Sequence, residues 1–183
     1  MERRCRGSRR RFFSQDLVHL CCPSFIAAFG PIAMMTEMNF PPSVDEILEE
    51  FSEMEDWEER YEYLIELGRE LPRLEAGLMC EANLVHGCMS TVWLVIETMD
   101  RGTLHVRADS DSLIVKGLIV VLLSAYDQKS SQDMLEVDAE SLFEKLGLSQ
   151  HLSANRRNGL FSMVQRVRAL AVQHAAANET RSQ

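Results

Sequence analysis

A chain of 183 residues, 46% of them hydrophobic, suits a single domain with a sizeable core. Its formal charge of -9 excludes the lysine and arginine excess with which non-specific nucleic-acid binders meet a phosphate backbone. Proteins are the expected partners, with no nucleic acid and no membrane among them.

The charge is uneven along the chain. Residues 1–11 hold six arginines against one acid, Glu2. Residues 17–35 are largely apolar, but Cys21-Cys22-Pro23-Ser24 and Gly30-Pro31 interrupt them too often for a membrane helix. Residues 1–38 therefore read as an N-terminal extension with three competing explanations. Ser8-Arg9-Arg10-Arg11-Phe12-Phe13 is similar to a twin-arginine export signal, and an arginine-rich head with an apolar tail is similar to an organelle transit peptide. The third is a start codon assigned too far upstream, with Met34, Met35 or Met38 as the true first residue. The lack of a small-x-small cleavage site, together with Asp16 and His19 inside the apolar stretch, favours the third. The cytoplasm is the expected compartment, or an organelle stroma or matrix if the extension is a transit peptide. From Asn39 onward, 13 basic residues face 25 acidic ones. Five cysteines, three of them in the extension, form no extracellular disulfide framework and suit a reducing compartment.

The elements of a single domain over residues 39–174 follow in order. Val44, Ile47, Leu48 and Phe51 fall on one face of a helix over residues 44–54. Asp56 caps a second helix, with Glu59 three residues on as in a capping box. Trp57, Tyr61, Leu64, Ile65, Gly68 and Leu71 form its buried stripe, and Pro72 closes it. The acidic outer face of this helix pair reads as solvated surface. Residues 73–81 form a loop, and residues 83–86 are expected as a short strand. Residues 91–99, rich in β-branched and aromatic side chains, pair with the alternating residues 103–108 across an Asp100-Arg101-Gly102 hairpin in which Gly102 is left-handed. Asp111 is expected to cap a helix that is apolar nearly all round, from Leu113 to Leu123, and so centrally buried; Gly117 would admit another element closely. A short helix over residues 138–146 and a long one over residues 155–174 complete the domain. Leu160, Met163, Val164, Val167, Leu170 and Ala171 keep helical register on the long helix. The tail over residues 175–183 is expected to fray. The sum is α+β, with an antiparallel sheet of about three strands covered by helices.

One thiol stands out. Cys88 lies in His86-Gly87-Cys88-Met89-Ser90-Thr91-Val92-Trp93, a Gly-Cys corner at the mouth of an apolar strand. A lone cysteine reads first as a small buried hydrophobe. The glycine and the strand-mouth position point instead to a thiol on a loop that can move.

The surrounding motifs resemble the SufE family of sulfur acceptors for cysteine desulfurases in iron-sulfur cluster assembly. They run from Trp57-Glu58-Glu59-Arg60-Tyr61, Leu64-Ile65-Glu66-Leu67-Gly68 and Leu71-Pro72 through Gly87-Cys88, Ser90 and Val92-Trp93. Asp109-Ser110-Asp111, Ile114-Val115-Lys116-Gly117-Leu118 and Leu146-Gly147-Leu148 continue the series. His151-Leu152-Ser153, Arg156 and Asn158-Gly159-Leu160 end it. Two positions depart from the family pattern: Met89 stands where glutamine is usual, and Ala154-Asn155 replaces proline-serine.

The resemblance implies a SufE/NifU-like fold and a persulfide relay centred on Cys88. A desulfurase strips sulfur from L-cysteine with its own pyridoxal phosphate, so no bound cofactor and no metal are expected in this chain. The Cys88 thiolate would attack the desulfurase persulfide, stimulate its turnover and pass the sulfur to a downstream iron-sulfur scaffold complex. Gly87 would act as the hinge of the loop, with Met89 and Ser90 as loop and partner contacts. Asp109, Asp111 and Arg156 would support the loop or touch the partner, although both aspartates also read as turn and cap residues. Lys116 reads as a solvated charge. His86 would lower the Cys88 pKa if the two shared a strand face. Three alternatives compete. A thiol hydrolase would need His86 or His105 as base. A metal or iron-sulfur scaffold would draw on Cys80, His86 and Cys88 without a CxxC pair. An allosteric desulfurase activator would need no covalent relay.

Overall fold

The computed structural model describes residues 40–99 and 102–181, with the side chains of residues 178–181 left aside. The extension over residues 1–38 and the hairpin residues Asp100 and Arg101 lie outside the described residues. Helix α1 (Val44–Glu53) begins at Ser43, whose hydroxyl accepts from the Glu46 amide while the Glu46 carboxylate accepts from the Ser43 amide. This reciprocal cap satisfies two amides that would otherwise lack partners, and the helix buries Ile47 and Phe51. Helix α2 (Trp57–Glu70) is capped by Asp56, which accepts from the Glu58 and Glu59 amides. Here the expected box is only half closed, because Glu59 accepts from the Glu55 amide instead, at 3.0 Å.

Strands β1 (Val92–Thr98) and β2 (Thr103–Ser110) form the expected antiparallel hairpin, and Gly102 takes the left-handed φ of 83°. Register places Leu94 opposite Ala108 and Ile96 opposite Val106, so one face of the pair is apolar. On the other face, Asp109 accepts from the Leu74 amide and Arg107 pairs with Glu75, tying down the loop after α2. The loop thus covers part of a sheet face that the sequence leaves open.

The third strand differs from expectation. Residues 83–86 end a 3-10 turn (Glu81–Asn83) and meet β1 through one bridge, Leu84 to Trp93. Asn83 is held in the turn by the Leu78 carbonyl, and the reversal at Gly87 stops the ladder from extending. The sheet is completed by β3 (Lys129–Ser130), which pairs with Thr103 and Leu104 in the order β1-β2-β3.

Helix α3 (Leu113–Tyr126) is the central helix, with ten of its fourteen residues buried. Its first residue, Leu113, is nonetheless exposed. Ser112, not Asp111, occupies the N-cap, because the Asp111 carboxylate is taken by the Thr91 amide at 3.1 Å. Gly117 packs its backbone on the Leu64 carbonyl of α2, and Gly68 packs on the Leu113 carbonyl. Short helices α4 (Ser131–Glu136), α5 (Ala139–Lys145) and α6 (Leu148–His151) lead into α7 (Ala154–Arg181). The expected register of α7 holds, with Leu160, Met163, Val164, Val167 and Ala171 buried. Helix α7 runs on to Arg181, through Ala175, Ala176 and Ala177, residues of high helix propensity. No helix among the described residues is long and apolar enough to cross a membrane.

Candidate functional site

Cys88 projects from the loop between the 3-10 turn and β1. At Gly87 the chain adopts φ +90°, which L side chains rarely reach, and that reversal turns the thiol toward α7. The Cys88 Sγ donates to the Gly159 carbonyl at 3.4 Å, a long bond of the kind sulfur makes. Gly159 lets the two approach closely: a Cβ there would stand 3.2 Å from the sulfur, which would have to give by a few tenths of an ångström. Nothing in the sequence marks this carbonyl, because the acceptor is backbone.

The loop is fastened beyond Cys88. Asp111 accepts from the Thr91 amide, and the Ser110 hydroxyl donates to the Thr91 carbonyl at 2.9 Å. Asp109, 2% exposed, pairs with Lys116 at 2.6 Å while accepting from the Leu74 and Ser110 amides. Lys116 is therefore a structural charge rather than a solvated one. Asp109 holds β2, α3 and the loop after α2 together. Met89 stands out into solvent at 81% exposure, and Ser90 is half-buried.

A cleft of about 460 Å³ opens beside the thiol. Its floor is apolar, from Val115, Leu118, Leu160 and Met163, and its rim is polar, from Ser90, Ser112, Ser153 and Asn155. Arg156 is the one charged side chain among the described residues of its wall. The rim is braced from α2. Trp57 stacks on His151 with ring centroids 3.9 Å apart, the Tyr61 hydroxyl donates to the His151 carbonyl, and Arg157 donates to the Ser149 carbonyl.

Two histidines fall elsewhere. His86 is exposed and lies 3.7 Å from Glu81, because the expected strand alternation is absent and the Gly87 reversal separates it from the thiol. His105 bonds Asp127 at 2.8 Å, so neither histidine is placed as a base for Cys88. No group of three or more His, Cys, Asp or Glu side chains that would hold a metal occurs among the described residues.

Burial alone pushes the Cys88 thiol up from its ordinary value. Iodoacetamide alkylation of the native protein should consequently have its midpoint above the ~8.5 of a free cysteine, returning to that value in denaturant. A native midpoint below it would reveal an activating charge. The same shift links to stability: as pH rises the unfolded chain releases this proton first. The contribution is thus present below roughly 8.5 and is lost as pH climbs through the folded-state value.

A Gly87→Val substitution meets two obstacles. The positive φ strains any side chain, by ~1–3 kcal/mol, and a Cβ would stand 2.7 Å from the Ser162 Oγ. Stability would suffer.

Three comparisons bear on this arrangement. The family model described as SufE, the Fe-S metabolism associated domain, matches residues 45–171. An uncharacterized SufE-like protein of Rhizobium etli is 42% identical over 144 residues, covering 77% of this chain and 97% of that one. The solution structure of a hypothetical protein from Thermus thermophilus superposes with a TM-score of 0.60 at 22% identity, covering 74% of this chain and 98% of its own. At that identity the last likeness speaks for the fold alone.

Proposed function

This chain belongs to the SufE family, associated with Fe-S metabolism, and from that premise we propose that Cys88 accepts sulfur from a cysteine desulfurase as a persulfide and delivers it for iron-sulfur cluster assembly. The observation that carries the reading is the seat of the thiol: on a loop that reverses at Gly87, half-buried, at the wall of an apolar-floored cleft.

In the transfer step the Cys88 thiolate attacks the terminal sulfur of the desulfurase persulfide. A sulfur-sulfur bond forms at Cys88, the bond at the donor breaks, and the electron pair leaves with the donor thiolate. No external oxidant is consumed, and the rate depends on thiolate fraction, nucleophilicity and access. The pyridoxal phosphate that generates the donor persulfide belongs to the desulfurase.

Burial that protects a loaded sulfur also suppresses the thiolate that must be loaded. The loop resolves this by moving. Closed, Cys88 donates to the Gly159 carbonyl; open, it leaves that acceptor and regains the ionisation of a solvated thiol. Gly87 supplies the near hinge and the Thr91–Asp111 contact the far anchor. Met89 and Ser90, beside the thiol, meet the desulfurase, and Arg156 faces the same side from the cleft rim. Addition of the protein to a cysteine desulfurase with L-cysteine should raise sulfide and alanine formation several-fold and saturate with protein concentration. A desulfurase rate independent of the protein, with every desulfurase of the source cell, would overturn the reading.

A further inference from the structure

A single added sulfur atom fills little of the cleft beside Cys88. At about 460 Å³ the space lies in the range of small-molecule sites, which run from roughly 300 to 1,000 Å³. Its chemistry is divided: apolar floor at Val115, Leu118 and Met163, hydroxyl and amide rim at Ser90, Ser153 and Asn155, and one cation. That cation, Arg156, is exposed and makes no hydrogen bond or ion pair among the described residues, whereas its neighbour Arg157 is tied to the Ser149 carbonyl. Both Arg156 and the Cys88 thiol line the cleft, so a ligand lying in it can meet the two at once. A guanidinium is suited to a carboxylate, which it can hold through paired N–H donors.

Resting on the persulfide reading of Cys88, we propose that this cleft binds a small thiol bearing a carboxylate, and that such a thiol is an acceptor of the Cys88 sulfur. Arg156 takes the carboxylate, the apolar floor takes the carbon chain, and the ligand's sulfur lies against the persulfide. The ligand thiolate attacks the outer sulfur of the Cys88 persulfide. A new sulfur-sulfur bond forms on the ligand, the bond within the persulfide breaks, and its electron pair leaves as the Cys88 thiolate. The products are a small-molecule persulfide and the free protein thiol, with no oxidant or reductant required. Arg156 orients the acceptor and is a specificity residue of the site.

The test begins by loading the full chain with a cysteine desulfurase and L-cysteine, removing both, and weighing the intact protein. Failure to gain sulfur at this step refutes the persulfide reading itself. The loaded protein is then challenged with 3-mercaptopropionate or 2-mercaptoethanol, and loss of sulfur is followed by mass. Unloading by 3-mercaptopropionate should saturate with concentration, and unloading by 2-mercaptoethanol should stay linear. Arg156→Gln should slow the first about fivefold, the scale of one partly exposed ion pair, and leave the second within twofold. Arg156→Lys should recover part of the loss. Because the intrinsic reactivity of each thiol is the same with either protein, the change in ratio isolates the cleft. A variant that the desulfurase loads poorly is loaded with inorganic polysulfide instead. Equal slowing of both thiols, linear kinetics with both, or resistance of the loaded protein to both would overturn the proposal.

Discussion

Gly117→Ala is expected to cost about 3 kcal/mol and to lower the melting temperature by roughly 10 °C. A Cβ at Gly117 would run into the Leu64 carbonyl, and the neighbouring atoms it meets are backbone rather than the flexible end of a side chain. Helices α2 and α3 would have to part along the contact where Leu64, Leu118 and Val121 are all but fully buried. Alanine would otherwise favour a helix by about 1 kcal/mol over glycine, so a loss of stability identifies packing as the winning effect. Thermal unfolding by circular dichroism measures it. A melting temperature at or above that of the wild type would show that the two helices do not meet at this glycine.

Cys88→Ser is expected to reduce sulfur acceptance by more than about hundredfold, because a hydroxyl is no nucleophile toward persulfide sulfur at neutral pH. The substitution is small and the hydroxyl can still donate to the Gly159 carbonyl, so the fold should change by no more than about 1 kcal/mol. Desulfurase stimulation should disappear with the thiol. Stimulation that survived in the serine variant would point to allosteric activation without a covalent relay, and the melting curve would exclude misfolding as the cause in either case.

How much of the fold is legible in the sequence depends on where each signal resides. The long apolar runs are readable: α3, the β1-β2 hairpin and the register of α7 follow from period and length. The third strand is not, because a two-residue strand has no periodicity to read and Lys129-Ser130 is polar. Residues 83–86 make one bridge to β1, Leu84 to Trp93, and Gly87 reverses the chain before the pairing can extend. The Ser43-Glu46 cap does have a sequence signature, three residues apart before an apolar stripe. Asp111 misleads because an aspartate before a helix reads as a cap, and only the tertiary fold brings it to the Thr91 amide.

The candidate site divides in the same way. Cys88 and Gly87 stand out as residue types, Arg156 comes from the family resemblance, and the structure brings Cys88 and Arg156 to one cleft. His86, a modulator of the thiol only if the two shared a strand face, lies beside Glu81 instead. The Gly159 carbonyl, the partner of the Cys88 sulfur, is invisible in the sequence, since a backbone acceptor leaves no mark except the absence of a side chain. Lys116 reads as a surface charge because its buried partner, Asp109, lies on another element.

The central claim is that Cys88 carries sulfur, and intact-mass measurement tests it most directly. The protein is incubated with a cysteine desulfurase and L-cysteine, separated without reductant, blocked by alkylation and digested. The predicted result is the gain of one sulfur atom in the intact chain, mapped to the peptide containing Cys88 and absent from Cys88→Ser. A chain that gains no sulfur while the desulfurase turns over, or gains it at another residue, would contradict the account.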